Sequence, residues 1–373
     1  MDQLTEGLLE RLLCNLNEWE GCRACATSHS FLAAWNNVRS RGQHRRRLVI
    51  GCSVGSKLLE VEPQSYQVVR KSAAHARARH KGGRRRFTAS RPGPQRRWNT
   101  SMAFAPTWWP NRDLYVDQYK VDRDGRNSGV LQFRSTDLSF MRVFRAGPAL
   151  LDPEGVAFAC QRMFVGSASN SSISALSQDG EVVENLDLGE WVPWSLIADV
   201  EGSSAALYVT VDVSYPQEDY LKGPINNRGA ILRIDLRPSG EMLPPVVYAG
   251  GDGSLLRPSG TCLDDSQQWA FVTSLDGNVY RCPGPRQACS SPVRPLEVFA
   301  TLDGLEGQAL HALPWALACL HGVLHVSVHS TPPGREVLGG KARLLAFSIT
   351  DRKLIRVLSL PEDCSHPNTM CTM

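Results

Sequence analysis

RPSGTCLDDSQQWAFVTSLDGNVYR, residues 257–281, is the stretch on which the fold reading turns. Pro258 fixes φ at the head of a small opening turn, PSGTCL, and Gly260 keeps that turn slim. A polar gap separates it from the apolar run Ala270–Val272, and a second short gap leads to NVYRC at 278–282. LEVFA at 296–300 completes a unit of four short strands.

Working outward, the same order recurs along the chain. Second strands stand at Leu48–Ile50, Leu114–Val116, Met163–Val165, Leu207–Val209, Ala270–Val272 and Leu324–Val326. Each is followed by a third: KLLEV, GVLQF, SISAL, AILRI, NVYRC and RLLAF. The opening turn recurs as PEGVAF (153–158), PWSLIA (193–198) and PWALAC (314–319), with SMAFAP (101–106) in register and FLAAW (31–35) as the sixth first strand. Self-similarity of this kind predicts an all-β, six-bladed β-propeller of four-stranded antiparallel blades. A single blade buries too little to be stable alone, whereas a closed ring covers both faces of every sheet. The expected layout is an N-terminal segment over 1–29, a propeller over 30–361 with a basic insertion at 71–98, and a C-terminal tail at 362–373. In the first segment, Leu4, Leu8, Leu9, Leu12, Leu13, Leu16 and Trp19 recur at amphipathic helical spacing.

Charge is distributed unevenly. The chain of 373 residues carries a formal +4, yet residues 39–97 hold 17 Lys and Arg against only Glu60 and Glu62, a local +15 that leaves −11 elsewhere. The densest part, RARHKGGRRRFTASRPGPQRR at 77–97, has no apolar periodicity and is broken by Gly and Pro, which predicts a disordered loop. Arg84, Arg85, Arg86, Arg96 and Arg97 are its candidates for nucleic acid, because clustered guanidinium groups bind phosphates and release counterions. A solvated insertion is the plainer reading of the same residues.

Eleven cysteines at irregular spacing predict that in a reducing compartment most are buried small apolar residues. Cys22-x-x-Cys25 lacks the second pair that a zinc finger needs. The N-terminus reads as no secretory signal, and no run of about 18 apolar residues offers a membrane span. The expectation is a monomer in the cytoplasm, with a nuclear address as the alternative reading of the basic run. No nucleophile elbow, phosphate loop, HExxH or GxGxxG stands in a fitting context.

In this strand order, the loops from second to third strands share one face with the connections that open each next blade. Those loops are long in the second, fourth and sixth blades, at 117–128, 212–228 and 328–341. Long loops on one face of a rigid scaffold predict a ligand-binding mouth. Asp117, Trp191, Trp194 and Trp315 are its candidate ligand-facing residues. Glu154, Asp212 and Asn226 could offer oxygens to a hard cation such as Ca²⁺, and His311 is the candidate base.

LYVTVDVSYPQEDYL (207–221), GAILRIDLRPSGE (229–241) and the opening stretch together resemble the NHL-repeat, strictosidine synthase-like and gluconolactonase-like superfamily of six-bladed propellers. The resemblance implies the fold over about 75 residues. It also implies that Glu154, in a Glu-Gly opening turn, and Asp212, in the acidic loop, match positions around the channel. Calcium-dependent members carry an Asn ligand after the opening Pro, where this chain has Ser259. Two functions are therefore expected. One is a noncatalytic binding propeller for a protein, peptide or small ligand. The other is a calcium-dependent hydrolase, lactonase or strictosidine synthase-like enzyme.

Overall fold

The computed structural model describes residues 48–52, 57–62, 67–71, 97–98, 101–120, 128–202, 204–213, 228–302, 311–331, 341–361 and 367–372. The N-terminal segment 1–29, FLAAW, Asn226, and Arg84, Arg85, Arg86 and Arg96 lie outside them. The described residues all belong to one unit, Leu48–Met373. Among them no helix is long and apolar enough to cross a membrane.

Six antiparallel sheets form a six-bladed β-propeller. Blade I contains β1 (Leu48–Cys52), β2 (Lys57–Val61) and β3 (Val68–Lys71). Blade II contains β4 (Arg97–Trp98), β5 (Met102–Phe104), β6 (Leu114–Lys120), β7 (Gly129–Phe133) and β8 (Phe140–Ala146). Blade III runs from β9 (Pro153–Ala159) through β10 (Arg162–Ser167) and β11 (Ser172–Leu176) to β12 (Val182–Asp187). Blade IV has β13 (Trp191–Glu201), β14 (Ser204–Val213), β15 (Gly229–Leu236) and β16 (Val246–Gly250). Blade V has β17 (Pro258–Leu263), β18 (Trp269–Ser274), β19 (Asn278–Pro283) and β20 (Glu297–Thr301). Blade VI has β21 (His311–Leu320), β22 (Val323–Thr331), β23 (Lys341–Ser348) and β24 (Leu354–Ser359).

The first blade departs from expectation. Its innermost strand is β25 (Pro367–Thr372), taken from the segment expected to be a tail, and it pairs antiparallel with β1 from Leu48↔Thr372 to Cys52↔Pro367. The ring is therefore closed by strands from the two ends of the described chain, leaving only short, protected strand edges. Leu48, Ile50, Met370, Ala316 and Leu344 pack together across the join of blades VI and I. Cys52 is in a disulfide, an exception to the expectation that most cysteines are buried, reduced thiols.

Period-two alternation builds the rest. On β14, Leu207, Val209 and Val211 pack toward blade III, while Ala206 and Tyr208 pack toward blade V. Between blades II and III, Trp109, Tyr115, Phe144 and Phe158 meet edge to face or tilted, with centroids 5.0–6.2 Å apart. Trp109 Nε1 donates to Tyr115 Oη at 3.0 Å, so this buried polar pair is satisfied. The two opening-turn glycines sit where inner strands nearly touch. A Cβ on Gly155 would stand 2.7 Å from Leu196 Cβ, and one on Gly260 2.4 Å from the Trp315 carbonyl oxygen.

Removing β25 by ending the chain at Pro361 strips β1 of a partner and uncovers Leu48 and Ile50. The expected outcome in a circular-dichroism melt is loss of the cooperative transition, with aggregation on size exclusion. A truncated chain that melts like the full one would show that β25 does not close the ring.

Candidate binding site at the channel mouth

Strand polarity defines two ends of the channel. First strands begin, and second strands end, at the mouth. On alternate blades the strands extend furthest there: β13 and β14 have 11 and 10 residues and β21 and β22 have 10 and 9, whereas β10 and β18 have six each. Blade II is heightened differently, β4 pairing with the mouth end of β6 at Tyr119 and Lys120. Blades II, IV and VI thus form three raised walls. The Lys71 and Arg97 ends of the basic insertion also lie at this end of blades I and II.

Below the rim lies a band of hydrogen bonds from second strands to inner strands. Three residues along from the start of each second-strand motif stand Asp117, Thr210, Thr273 and Ser327, with Gly51 and Gly166 in the other two blades. Asp117 Oδ1 accepts from the Ser101 amide at 2.6 Å and Oδ2 from the Gly155 amide at 2.7 Å, joining blades II and III. Thr210 Oγ1 donates to the Ser259 carbonyl at 3.0 Å, joining blades IV and V. Thr273 Oγ1 accepts from the Gly260 amide at 2.7 Å and lies 3.2 Å from the Trp315 carbonyl. Ser327 Oγ accepts from the Ala316 amide at 2.9 Å and donates to the Pro367 carbonyl at 2.7 Å. Asp117, a candidate ligand-facing residue, is fully buried with its carboxylate committed to this band.

Two residues nearer the mouth the character changes. Asp212 is 1% exposed, neither carboxylate oxygen makes a well-formed hydrogen bond, and the Trp194 indole lies near enough to act on it as a donor. Burial pushes its pKa up to about 6, against the opposing pull of the Trp194 indole and the Arg257 guanidinium beside it. Asp152, at the opening of blade III, is likewise pushed up to about 6 by burial. Further buried polar atoms without partners stand at this end: Gln118 Nε2, Ser128 Oγ, Ser172 Oγ and Trp315 Nε1. Backbone strain is present too. Asp152 and Arg257 have φ of 50° and 44° although each precedes a proline, which disfavours such compact conformations.

The remaining candidates fall in several places. Trp194 lies beside Asp212, and Trp315 is half-buried on blade VI. Trp191 packs onto the hydrophobic cluster between blades III and IV. Glu154 is buried at the start of β9; His311 opens β21 with its Cα opposite Thr331. Arg97 pairs with Lys120 in β4. Sequence reading missed Asp152, Gln118, Ser128, Ser172 and Arg257. The Asp-Pro and Arg-Pro pairs at two opening turns were the signals available for Asp152 and Arg257.

A calcium ion needs six to eight converging oxygens. Among the described residues no three His, Cys, Asp or Glu side chains come together to hold a metal. Ser259, at the position of the implied Asn ligand, has its hydroxyl 2.8 Å from Thr273 Oγ1 and 2.9 Å from the Pro314 carbonyl.

No family model matches the chain, and no curated protein matches it. Among solved structures, a chain in the crystal structure of a nidogen/laminin complex superposes with a TM-score of 0.55 at 13% identity, covering 88% of this chain and 98% of that one. A protein of unknown function from Bacteroides caccae superposes with a TM-score of 0.51 at 13% identity, covering 88% and 99%. At these identities the likeness is one of fold.

Two substitutions separate the buried carboxylates. Asp117→Ala leaves two buried amides unpaired and is expected to cost about 2–4 kcal/mol in denaturant melts. Asp212→Asn should do the reverse. The folded state holds the Asp212 proton more tightly than the unfolded chain does, so this carboxyl opposes folding as pH rises from about 4 through 6, fully so above that. At pH 7 the variant is expected to gain up to about 3 kcal/mol, and the gain should vanish near pH 4. Equal melting of variant and wild type at pH 7 would show that Asp212 is solvated.

Proposed function

We propose that this propeller is a binding module whose ligand seats in the three-walled mouth. The ligand is a protein segment, peptide or small molecule rich in hydrogen-bonding groups. The observation that carries this reading is the set of buried polar atoms without partners at the mouth ends of blades II, III, IV and VI: Gln118, Ser128, Ser172, Asp212 and Trp315. Each such group costs stability unless something bonds to it, and native structures keep them few. A ligand that brings donors to Asp212 and acceptors to Gln118 and Trp315 supplies what the fold leaves open. The raised carboxyl of Asp212 and the strained backbone of Asp152 and Arg257 support the same face, since perturbed pKa values and strain gather at working sites. Structural likeness to a chain solved within a two-protein complex is compatible with a macromolecular ligand.

The test uses the full chain against arrayed peptide and oligosaccharide libraries, followed by calorimetry on whatever binds. Asp212→Asn and Trp315→Phe are each expected to weaken binding roughly tenfold or more, the scale of one lost hydrogen bond to a charged or buried group. Hydrogen exchange should slow at the mouth ends of β14 and β21. Arrays without a binder, or binders held equally by both variants, overturn the reading.

A further inference from the structure

The opposite end of the channel has different chemistry. There a cavity of about 320 Å³ is lined by three consecutive residues from each of β5, β9, β13, β17, β21 and β25, together with Pro106. The three positions are equivalent from blade to blade. In the middle one stand Ala103, Ala157, Cys262, Ala318 and Cys371, with Ile197 as the single large side chain. Side chains this small at one level leave the axis of the ring unfilled.

No lining side chain carries a charge. Thr261, one of two that bear a hydroxyl, donates to the Phe271 carbonyl. The polar part of the wall is backbone instead: each inner strand pairs along one edge alone, so alternate amides and carbonyls of its other edge turn to the channel. The two sides of the wall differ. Phe104 and Phe158 stand at the same level on the neighbouring blades II and III. Edge-to-face contacts with Trp109 and Tyr115, at centroid distances of 5.0 and 5.5 Å, fix the Phe158 ring before anything binds. Blades V and VI lie across the axis from these two in the ring of six, and they contribute Cys262 and Cys319.

We propose that this cavity is a second binding site, separate from the mouth, for a neutral planar heteroaromatic molecule that carries both a donor and an acceptor on its edge. Volume sets the size. Small-molecule pockets run from roughly 300 to 1,000 Å³, so this one, at the lower end, has room for about two fused rings. Charge is excluded next, because an ion entering here would lose its water and meet no counter-charge. A plain hydrocarbon fits no better, since it would cover the strand edges and leave their amides and carbonyls unbonded. A flat heteroaromatic meets both demands. Its faces lie against phenyl rings and polarisable cysteine sulfur, while its in-plane donor and acceptor reach the strand edges.

The test uses the full chain, its methionines labelled at the methyl carbon, and three probes. Carbostyril is neutral, fused-ring and carries an amide; quinaldate is an anion of similar size; perhydrogenated carbostyril keeps the amide without the aromatic ring. Carbostyril is expected to bind in calorimetry with a Kd of about 100 μM or tighter, and each of the others roughly tenfold more weakly or worse. Its ring current should shift the methyl signals of Met102 and Met370, which line the cavity. Those of Met141, exposed on β8, and Met242, packed between blades III and IV, should stay in place. Ala103→Phe and Ala198→Phe, at two half-buried lining positions, put a ring into the space and should lower affinity roughly tenfold or more. The methyl shifts need no variant and decide the matter if a phenylalanine variant does not fold by circular dichroism. Absence of carbostyril binding, equal binding of all three probes, or unmoved Met102 and Met370 signals overturns the site. So does loss of carbostyril binding on Asp212→Asn, which would put the probe at the mouth.

Discussion

Each inner strand of the ring is hydrogen-bonded along only one edge, to the second strand of its own blade, while its other edge faces the channel. That constraint governs the rest of the structure. Apolar packing between blades is non-directional and does not set the height of one inner strand against the next. Directional bonds do so here, and they come from side chains on the second strands: Asp117, Thr210, Thr273 and Ser327, three of them joining their own inner strand to the next blade's and Thr210 reaching across. Blades I and III manage with Gly51 and Gly166, whose smallness allows the inner strands to close up. The last of these bonds, from Ser327 to Pro367, reaches the strand that closes the ring.

Two aspartates on neighbouring levels of equivalent strands show how environment divides labour. Asp117 receives two backbone amides, so its buried carboxylate is stabilised by hydrogen bonds and the group holds blades together. Asp212, one alternation step nearer the mouth, receives no such donors and is pushed toward protonation near neutral pH. The first carboxylate supports folding and the second opposes it. A group that opposes folding is explained most economically by what it does after folding, and the walls of blades II, IV and VI rise around that level.

The repeat was legible in the sequence because its signal is local. Alternation in LYVTV or AFVTS needs only neighbouring residues, and all six second strands lie where the pattern places them. Closure was not legible. PNTMCT pairs with a strand more than 300 residues away, and nothing in six residues with three polar and one proline position announces that partner. The end of the ring at which second strands finish follows from the strand order, but the residues there were sorted poorly. Asp117 and Asp212 look alike in sequence, each following an apolar second strand, and only the backbone amides of Ser101 and Gly155 distinguish the bound carboxylate from the unbound one. Cys52 looked like any other thiol for the same reason, since a disulfide depends on a partner that spacing does not reveal.

The channel is consequently asymmetric along its axis, and the asymmetry follows from the strands themselves. At the mouth, second strands end and third strands begin, and buried polar side chains there, Asp212, Ser128 and Ser172, lack a full complement of partners. At the other end the inner strands run on into apolar residues and thiols, Phe104, Phe158, Leu263 and Cys319, because each is covered there by its own second strand and by the next blade. A polar ligand finds unmet hydrogen bonds at the first end and none offered by side chains at the second, where Thr261 Oγ1 already donates to the Phe271 carbonyl. One ring therefore provides two environments of different chemistry at its two ends.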